Sequence, residues 1–245
     1  MRYGICAGPD QLAIVEQAGF DYVEFTLNQV AGWTETEFLE IHSQVKSSRI
    51  AVEACNGFFP WSMKVVGPEA DPGAISDYIA RALPRAALLG VKTTVVGNGG
   101  ARRIPDGMSR EEGNAQFVTV LRQIGDEAAK VGITAAVEPL NSRESNYILS
   151  ITEGVKVVEE ANHPQVRLLA DFYHMRMDNE SMDAILRASG LLTHVHIANG
   201  QGRGYPLSPT EDCYGEFFER LHRIGYNGRV SIEASTQNMA EDAVR

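Results

Sequence analysis

The chain has 245 residues, 44% of them apolar and 22% charged, with a formal net charge of −10 at neutral pH. Such a length suits one large globular unit, and no Pro/Ser-rich linker or low-complexity tract marks a boundary, so residues 1–245 are read as a single domain. The acidic balance argues against a nucleic-acid partner, which wants a basic face, but leaves room for a small ligand held by an arginine or two.

In chain order, the opening "MRYGICAG" is too short and too polar for a signal peptide, and no apolar stretch is long enough to span a bilayer. The expectation is a soluble, cytoplasmic protein with no membrane partner, compatible with a homo-oligomer. Short apolar runs predict strands at Tyr3–Cys6, Tyr22–Phe25, Ile50–Ala54, Thr93–Val96, Thr134–Glu138, Val166–Asp171, Thr193–Ile197 and Val230–Glu233. Between them lie segments of helical period. Ser109 and Glu112 form a capping box ahead of a stripe made by Phe117, Leu121, Ile124, Ala128 and Val131, and Gly132 closes that helix. A second stripe, Tyr214, Phe217, Phe218, Leu221 and Ile224, ends at Gly225. The joints "EQAGFDYVEF", "ALLGVKTTVV", "AKVGITAAVE" and "HRIGYNGRVSIE" repeat one layout: helix, glycine, strand.

Eight strands alternating with helices at this length have the size and order of an α/β fold of the (β/α)8 TIM-barrel type. A doubly wound open sheet is the competitor, but the first loop, "CAGPDQ", lacks the GxGxxG of a dinucleotide binder. Few residues follow the last strand, so the final helix is short or truncated.

A barrel carries its chemistry at the C-terminal ends of its strands. Strands five to eight end in Glu138, Asp171, His196 and Glu233, each at the tail of an apolar run. One such residue is more often a cap or a salt-bridge partner; four in register on adjacent strands are harder to dismiss. Without a cation the carboxylates would repel and raise one another's pKa. Three oxygen donors and one imidazole suit a divalent ion, Mn²⁺ first, then Mg²⁺ or Co²⁺. Zn²⁺ ranks behind them, because Cys6, Cys55 and Cys213 lack CxxC spacing and offer no thiolate set.

At these residues the chain resembles the xylose isomerase-like superfamily of sugar isomerases and epimerases, in particular the branch of ketose 3-epimerases and hydroxypyruvate isomerases. The motifs are "GFDYVEF", "VEPLN", "DFYHM", "HVHIAN" and "IEA", spread over nearly the whole chain. The resemblance implies a metal held by Glu138, Asp171, His196 and Glu233, with Glu138 and Glu233 doubling as the acid–base pair. It further implies that Glu144 and His174 contact substrate oxygens, and Arg203 is carried over as the substrate-binding arginine. The related apurinic endonucleases need extra histidines after strands three and four, where this chain reads "CNGFF" and "GNGGARR".

The chemistry expected is proton abstraction beside a metal-polarised carbonyl, through a cis-enediolate. Return of the proton to the opposite face is epimerisation, and return to the neighbouring carbon is isomerisation of a small keto-sugar or hydroxy-ketone. A dehydratase of a cyclic keto-polyol such as an inosose, or a non-catalytic sugar-binding barrel, are the alternatives. His194 is read as structural, on the face opposite His196. His42, His163 and His222 are read as surface residues, and Glu24 and Glu53 as hydrogen-bonding residues of the barrel. No aromatic follows strand four, and "GNGGARR" is a weak candidate for a phosphate cradle using Arg102 and Arg103.

Overall fold

In the computed structural model, which describes residues 1–243, eight parallel strands close in sequence order into a barrel. They are β1 (Arg2–Cys6), β2 (Tyr22–Thr26), β3 (Ala51–Asn56), β4 (Thr93–Val96), β5 (Thr134–Val137), β6 (Val166–Asp171), β7 (Leu192–Ile197) and β8 (Arg229–Ile232). The helical segments are α1 (Leu12–Ala18), α2 (Leu27–Gly32), α3 (Glu35–Ser47), α4 (Pro72–Leu89), α5 (Gly99–Arg102), α6 (Arg110–Val131), α7 (Ile151–Ala161), α8 (Phe172–Met177), α9 (Tyr214–Arg223) and α10 (Met239–Asp242). The predicted (β/α)8 architecture is thus the observed one. β5 and β8 stop one residue short of their predicted ends, so Glu138 and Glu233 sit just past the ladder, free to turn over the barrel mouth.

Local signals explain the helices that flank this sheet. Ser109 accepts from the Glu112 amide while Glu112 returns a bond to the Ser109 amide, and Gly132 caps the other end of α6 at φ 70°. Phe117, Leu121, Ile124 and Ala128 are fully buried against the strands. On α9, Tyr214, Phe217 and Leu221 are buried, while Phe218 and Ile224 are partly so. The crossover from β6 to β7 departs from the alternating pattern: α8 is short, and a 3-10 turn, Met182–Ala188, completes the connection. α10 is short, as expected, and no helix among the described residues is long and apolar enough to cross a membrane.

Two register shifts bend the barrel wall. Pairing passes from Val23↔Val52 to Glu24↔Ala54, leaving Glu53 extra in β3, and from Leu168↔Leu192 to Leu169↔His194, leaving Thr193 extra in β7. Such bulges re-aim side chains near sites. Glu53 turns to the N-terminal end of the barrel, where its carboxylate takes Arg2 and Arg229, each at 2.6 Å. It is the barrel hydrogen-bonding residue expected of it.

Arg102 lies under the rim of the barrel mouth. Its guanidinium, 1% exposed, donates to the carbonyl oxygens of Val96 at 3.0 Å and Glu138 at 2.6 Å, joining the ends of β4 and β5. Burial pulls its pKa down to about 10, against the pull of Glu138, so it stays charged. Arg102 therefore faces the protein and not a ligand, which corrects the phosphate-cradle reading of "GNGGARR". Arg102→Ala strips the buried Glu138 carbonyl of its donor and leaves the Val96 carbonyl only the Glu138 amide at 3.3 Å, an expected cost of about 2 kcal/mol. Urea unfolding would read this as a lower midpoint at constant slope; an unshifted midpoint would mean that water replaces the guanidinium.

Candidate active site

The inward positions of the barrel follow the period-two rule, with Val95, Ala136 and Leu169 forming a small apolar layer of their own. Two residues further along each strand come Gly97, Glu138 and Asp171, at the mouth. Ligand atoms of Glu138, Asp171, His196 and Glu233 all lie within 4.8 Å of one another. Opposite ligands on an octahedral ion with bonds of about 2.1 Å stand about 4.2 Å apart, so one divalent ion fits this span. Asp171 adds a second observation. Its Oδ1 accepts from the Tyr173 amide at 2.7 Å, but Oδ2 is buried without a hydrogen-bond partner among the described residues. A buried carboxylate oxygen in that condition costs free energy unless a cation or a donor meets it.

The imidazole of His196 organises the charges. Its Nδ1 faces Glu138 Oε1 at 3.1 Å and Glu233 Oε2 at 3.5 Å, and its Nε2 faces Glu24 Oε1 at 3.1 Å. Glu24 also takes His194 Nε2 at 2.8 Å and the Ser231 hydroxyl at 2.5 Å. The two imidazoles hold Glu24 well below the usual carboxylate range although burial pushes it up. Burial lowers His196, but the surrounding carboxylates, Glu24 first, outweigh it and raise its pKa well above the ordinary value. Glu24 is thus the outer partner that orients the ring so that Nδ1 points into the mouth. Another grouping, Cys6 with Glu24 and His196, has donors close enough to share an ion. It suits one less well, because Glu24 already accepts from three groups.

His194 corrects an expectation. Side chains two residues apart on a strand share a face, so His194 and His196 both point inward, with ring centroids 5.0 Å apart. Its structural role stands: it is fully buried and bonded to Glu24. Of the remaining histidines, His222 is exposed and His42 and His163 are half-buried.

The two rim glutamates differ in surroundings. Burial raises Glu138, with Glu233 adding and His196 opposing. Burial also pushes Glu233 up, but His196 and Arg203 outweigh it and hold the carboxyl at about 2. Asp171 is pushed by burial to about 6. Glu138 also constrains its neighbour just past β4: a Cβ at Gly97 would overlap Glu138 Oε2, so a larger residue there would displace the carboxylate.

The other predicted residues gather at the same mouth. Arg203 Nη2 meets Glu233 at 2.5 Å and Nη1 lies 3.4 Å from Glu144. Its guanidinium also sits over the Tyr173 ring at 4.9 Å. Arg203 adopts φ 56°, a left-handed conformation that costs a non-glycine residue about 1–2 kcal/mol. Asn141, the last letter of "EPLN", was not singled out from the sequence, yet it orders this side of the site. Its backbone N–H and its side-chain amide both approach His174 Nδ1, at 3.2 and 2.8 Å, and the amide also meets Glu144 Oε1 at 2.8 Å. With Nδ1 accepting, the ring proton of neutral His174 sits on Nε2, which is buried without a hydrogen-bond partner among the described residues and 3.5 Å from Asp171 Oδ2. Burial lowers the His174 pKa, which favours that neutral donor. Asn56, also unforeseen, donates to Glu233 Oε1 at 2.7 Å, and its own Oδ1 has no hydrogen-bond partner among the described residues. A cavity of about 530 Å³ opens above these groups, within the rough range of 300–1,000 Å³ for small-molecule sites.

A closed parallel barrel whose C-terminal rim gathers three carboxylates and an imidazole over a polar cavity defines a (β/α)8 protein with an acidic rim site. The chain belongs to the xylose isomerase-like TIM barrel family, whose sequence profile matches residues 12–245. Among curated relatives, the L-ribulose 3-epimerase of Methylomonas sp. strain DH-1 is 26% identical, over 94% of this chain and 79% of its own length. The 3-dehydro-D-guloside 4-epimerase of Escherichia coli K12 is 27% identical, over 95% of this chain and 88% of its own. Among solved structures, a D-allulose 3-epimerase from Methylomonas sp. in complex with D-allulose superposes with a TM-score of 0.85 at 22% identity. That match covers 100% of this chain and 94% of the other. This similarity makes the protein an isomerase.

The Glu24–His196 contact has a measurable consequence. Loss of an outer partner of a metal-ligating histidine typically weakens binding about 10–100-fold. Were His196 to ligate an ion, Glu24→Gln would weaken binding of Mn²⁺, used as the probe, by that factor in a calorimetric titration, with the far-UV circular dichroism unchanged. Undiminished affinity would confine Glu24 to barrel packing.

Proposed function

We propose that the protein is a divalent-metal-dependent epimerase or isomerase of a small keto-sugar or related hydroxy-ketone. Its relatives' substrates are ketoses and a 3-dehydro-glycoside, and the carbon each is named for lies beside a ketone. The shared requirement is removal and return of a proton at that carbon. The observation that carries the reading is the clustering of Glu138, Asp171, His196 and Glu233 around one buried point below the cavity.

Those four side chains would hold the ion, and the oxygen-rich donor set favours Mn²⁺, then Mg²⁺ or Co²⁺, over Zn²⁺. A bound ion supplies Lewis-acid polarisation of the substrate carbonyl. Everything else is the work of the chain. Glu138 and Glu233 arrive from β5 and β8, on different sides of the mouth, so a carbon between them can lose its proton to one and regain it from the other. That transfer passes through a cis-enediolate and inverts the carbon. Where the enediolate spans carbons one and two, return at the adjacent carbon instead gives the aldose–ketose isomer. His174 Nε2–H, with its tautomer set by Asn141, donates to a substrate oxygen. Glu144 accepts from a substrate hydroxyl, and Arg203 spans Glu144 and Glu233 to wall the site off from water.

Incubation with Mn²⁺ and a panel of ketoses in D₂O tests this directly. Deuterium entry beside the carbonyl with formation of an epimer is expected, whereas an unsaturated ketone product would place the protein among lyases. Glu138→Gln is expected to reduce exchange at least 10³-fold with the fold retained, since a side chain that cannot take a proton removes the step. Wild-type exchange in this variant would take Glu138 out of the acid–base role. Asp171→Asn should lower Mn²⁺ occupancy, read by elemental analysis after gel filtration, and full occupancy would contradict the ligand set.

A further inference from the structure

The site holds an aromatic side chain that neither the metal cluster nor the acid–base pair uses. Trp61, on the loop between β3 and α4, lines the same cavity as Glu138 and Glu233, yet it is 83% exposed. A tryptophan face left in water is unusual, because burying one removes roughly 150–250 Å² of apolar surface. The loop that carries it is not loose. Phe58 and Phe59 are buried beneath it, and the Phe59 amide donates to Asn98 Oδ1 at 2.9 Å. Beyond Trp61, Lys64 Nζ donates to the Gly100 carbonyl at 2.9 Å, and the Val65 amide to the Ala101 carbonyl at 2.9 Å. The chain is therefore tied to the β4 side of the mouth on both sides of an indole that has no ring or cation partner among the described residues. Arg143 lines the cavity too; it is exposed, and its guanidinium has no ion-pair partner among the described residues.

We propose that Trp61 and Arg143 form an outer subsite for a second pyranose ring, so that the preferred substrate is a keto-sugar carrying a glycosyl substituent. This rests on the epimerase reading above. With the reacting carbon between Glu138 and Glu233, the far end of the ketose emerges at the mouth, where Trp61 stands. The C–H face of a pyranose is apolar and faintly positive, and it matches the negative face of an indole. Arg143 supplies planar donors for the hydroxyls at the ring edge. A free monosaccharide would leave both unused. Because the loop is tied down, little ordering opposes the stacking, and preorganisation of this kind favours affinity.

The test uses D-fructose and isomaltulose, a glucosyl-fructose with the same ketose unit and one further pyranose at its far end. Trp61→Ala is expected to raise KM for isomaltulose at least tenfold, with KM for D-fructose and kcat for both sugars changed less than twofold. Trp61→Phe should keep most of the disaccharide's affinity, and Arg143→Ala should lose part of it. Equal losses for the two sugars, or no loss for either, overturns the subsite. Calorimetry on the Mn²⁺-loaded protein reads it independently of turnover: wild type binding isomaltulose no more tightly than D-fructose also overturns it. Absence of deuterium exchange into any ketose, with the disaccharide still bound more tightly through Trp61, would instead defeat the epimerase reading alone.

Discussion

A column of alternating charge down the barrel axis is the constraint on which this structure depends. Glu138, Asp171 and Glu233 lie at the top, His196 beneath them, then Glu24, with His194 and Ser231 around it. Buried charges of one sign cannot be stacked without partners. Each imidazole therefore sits against carboxylate, and Glu24 accepts three donors. What remains unmatched is the excess of carboxylate at the rim, together with Asp171 Oδ2. The fold has left that excess at and just beneath the floor of the cavity at the barrel mouth.

The rim loops serve this column from outside. Arg102 clamps the ends of β4 and β5 through backbone carbonyls, which places Glu138 without touching its carboxylate. Gly97 leaves the space that the carboxylate occupies. Asn141 sets the His174 tautomer and reaches Glu144, so one amide coordinates two of the groups read as meeting substrate. Arg203 closes the far side, held in a left-handed conformation. None of these residues needs to react; each limits where a reacting group can go.

Much of this was legible in the chain. The alternation of apolar runs with capped, striped helices led to the eight-stranded barrel, because period and capping are local properties that tertiary context seldom overrides when they agree. Glu138, Asp171, His196 and Glu233 were legible as a set because each ends a strand, and a barrel brings strand ends together. Arg102 was misread because a glycine-rich loop with arginines looks alike whether the guanidinium points out or folds under the rim. Asn56 gave no signal beyond being a polar residue at a strand end, and Asn141 none beyond its place in the motif "VEPLN". Trp61 reaches the cavity from the loop after strand three, and nothing in the local sequence distinguishes it from the buried aromatics Phe58 and Phe59 beside it.

By itself, then, the sequence determined the barrel, its strand order and which acids and histidine stand at its mouth, since all of these follow from periodicity and position along each strand. Only the tertiary structure decided the orientation of those groups. The sharing of Glu24 by two histidines, the placement of Arg102 and the exposure of Trp61 depend on contacts between residues far apart in the chain, and no local pattern records them.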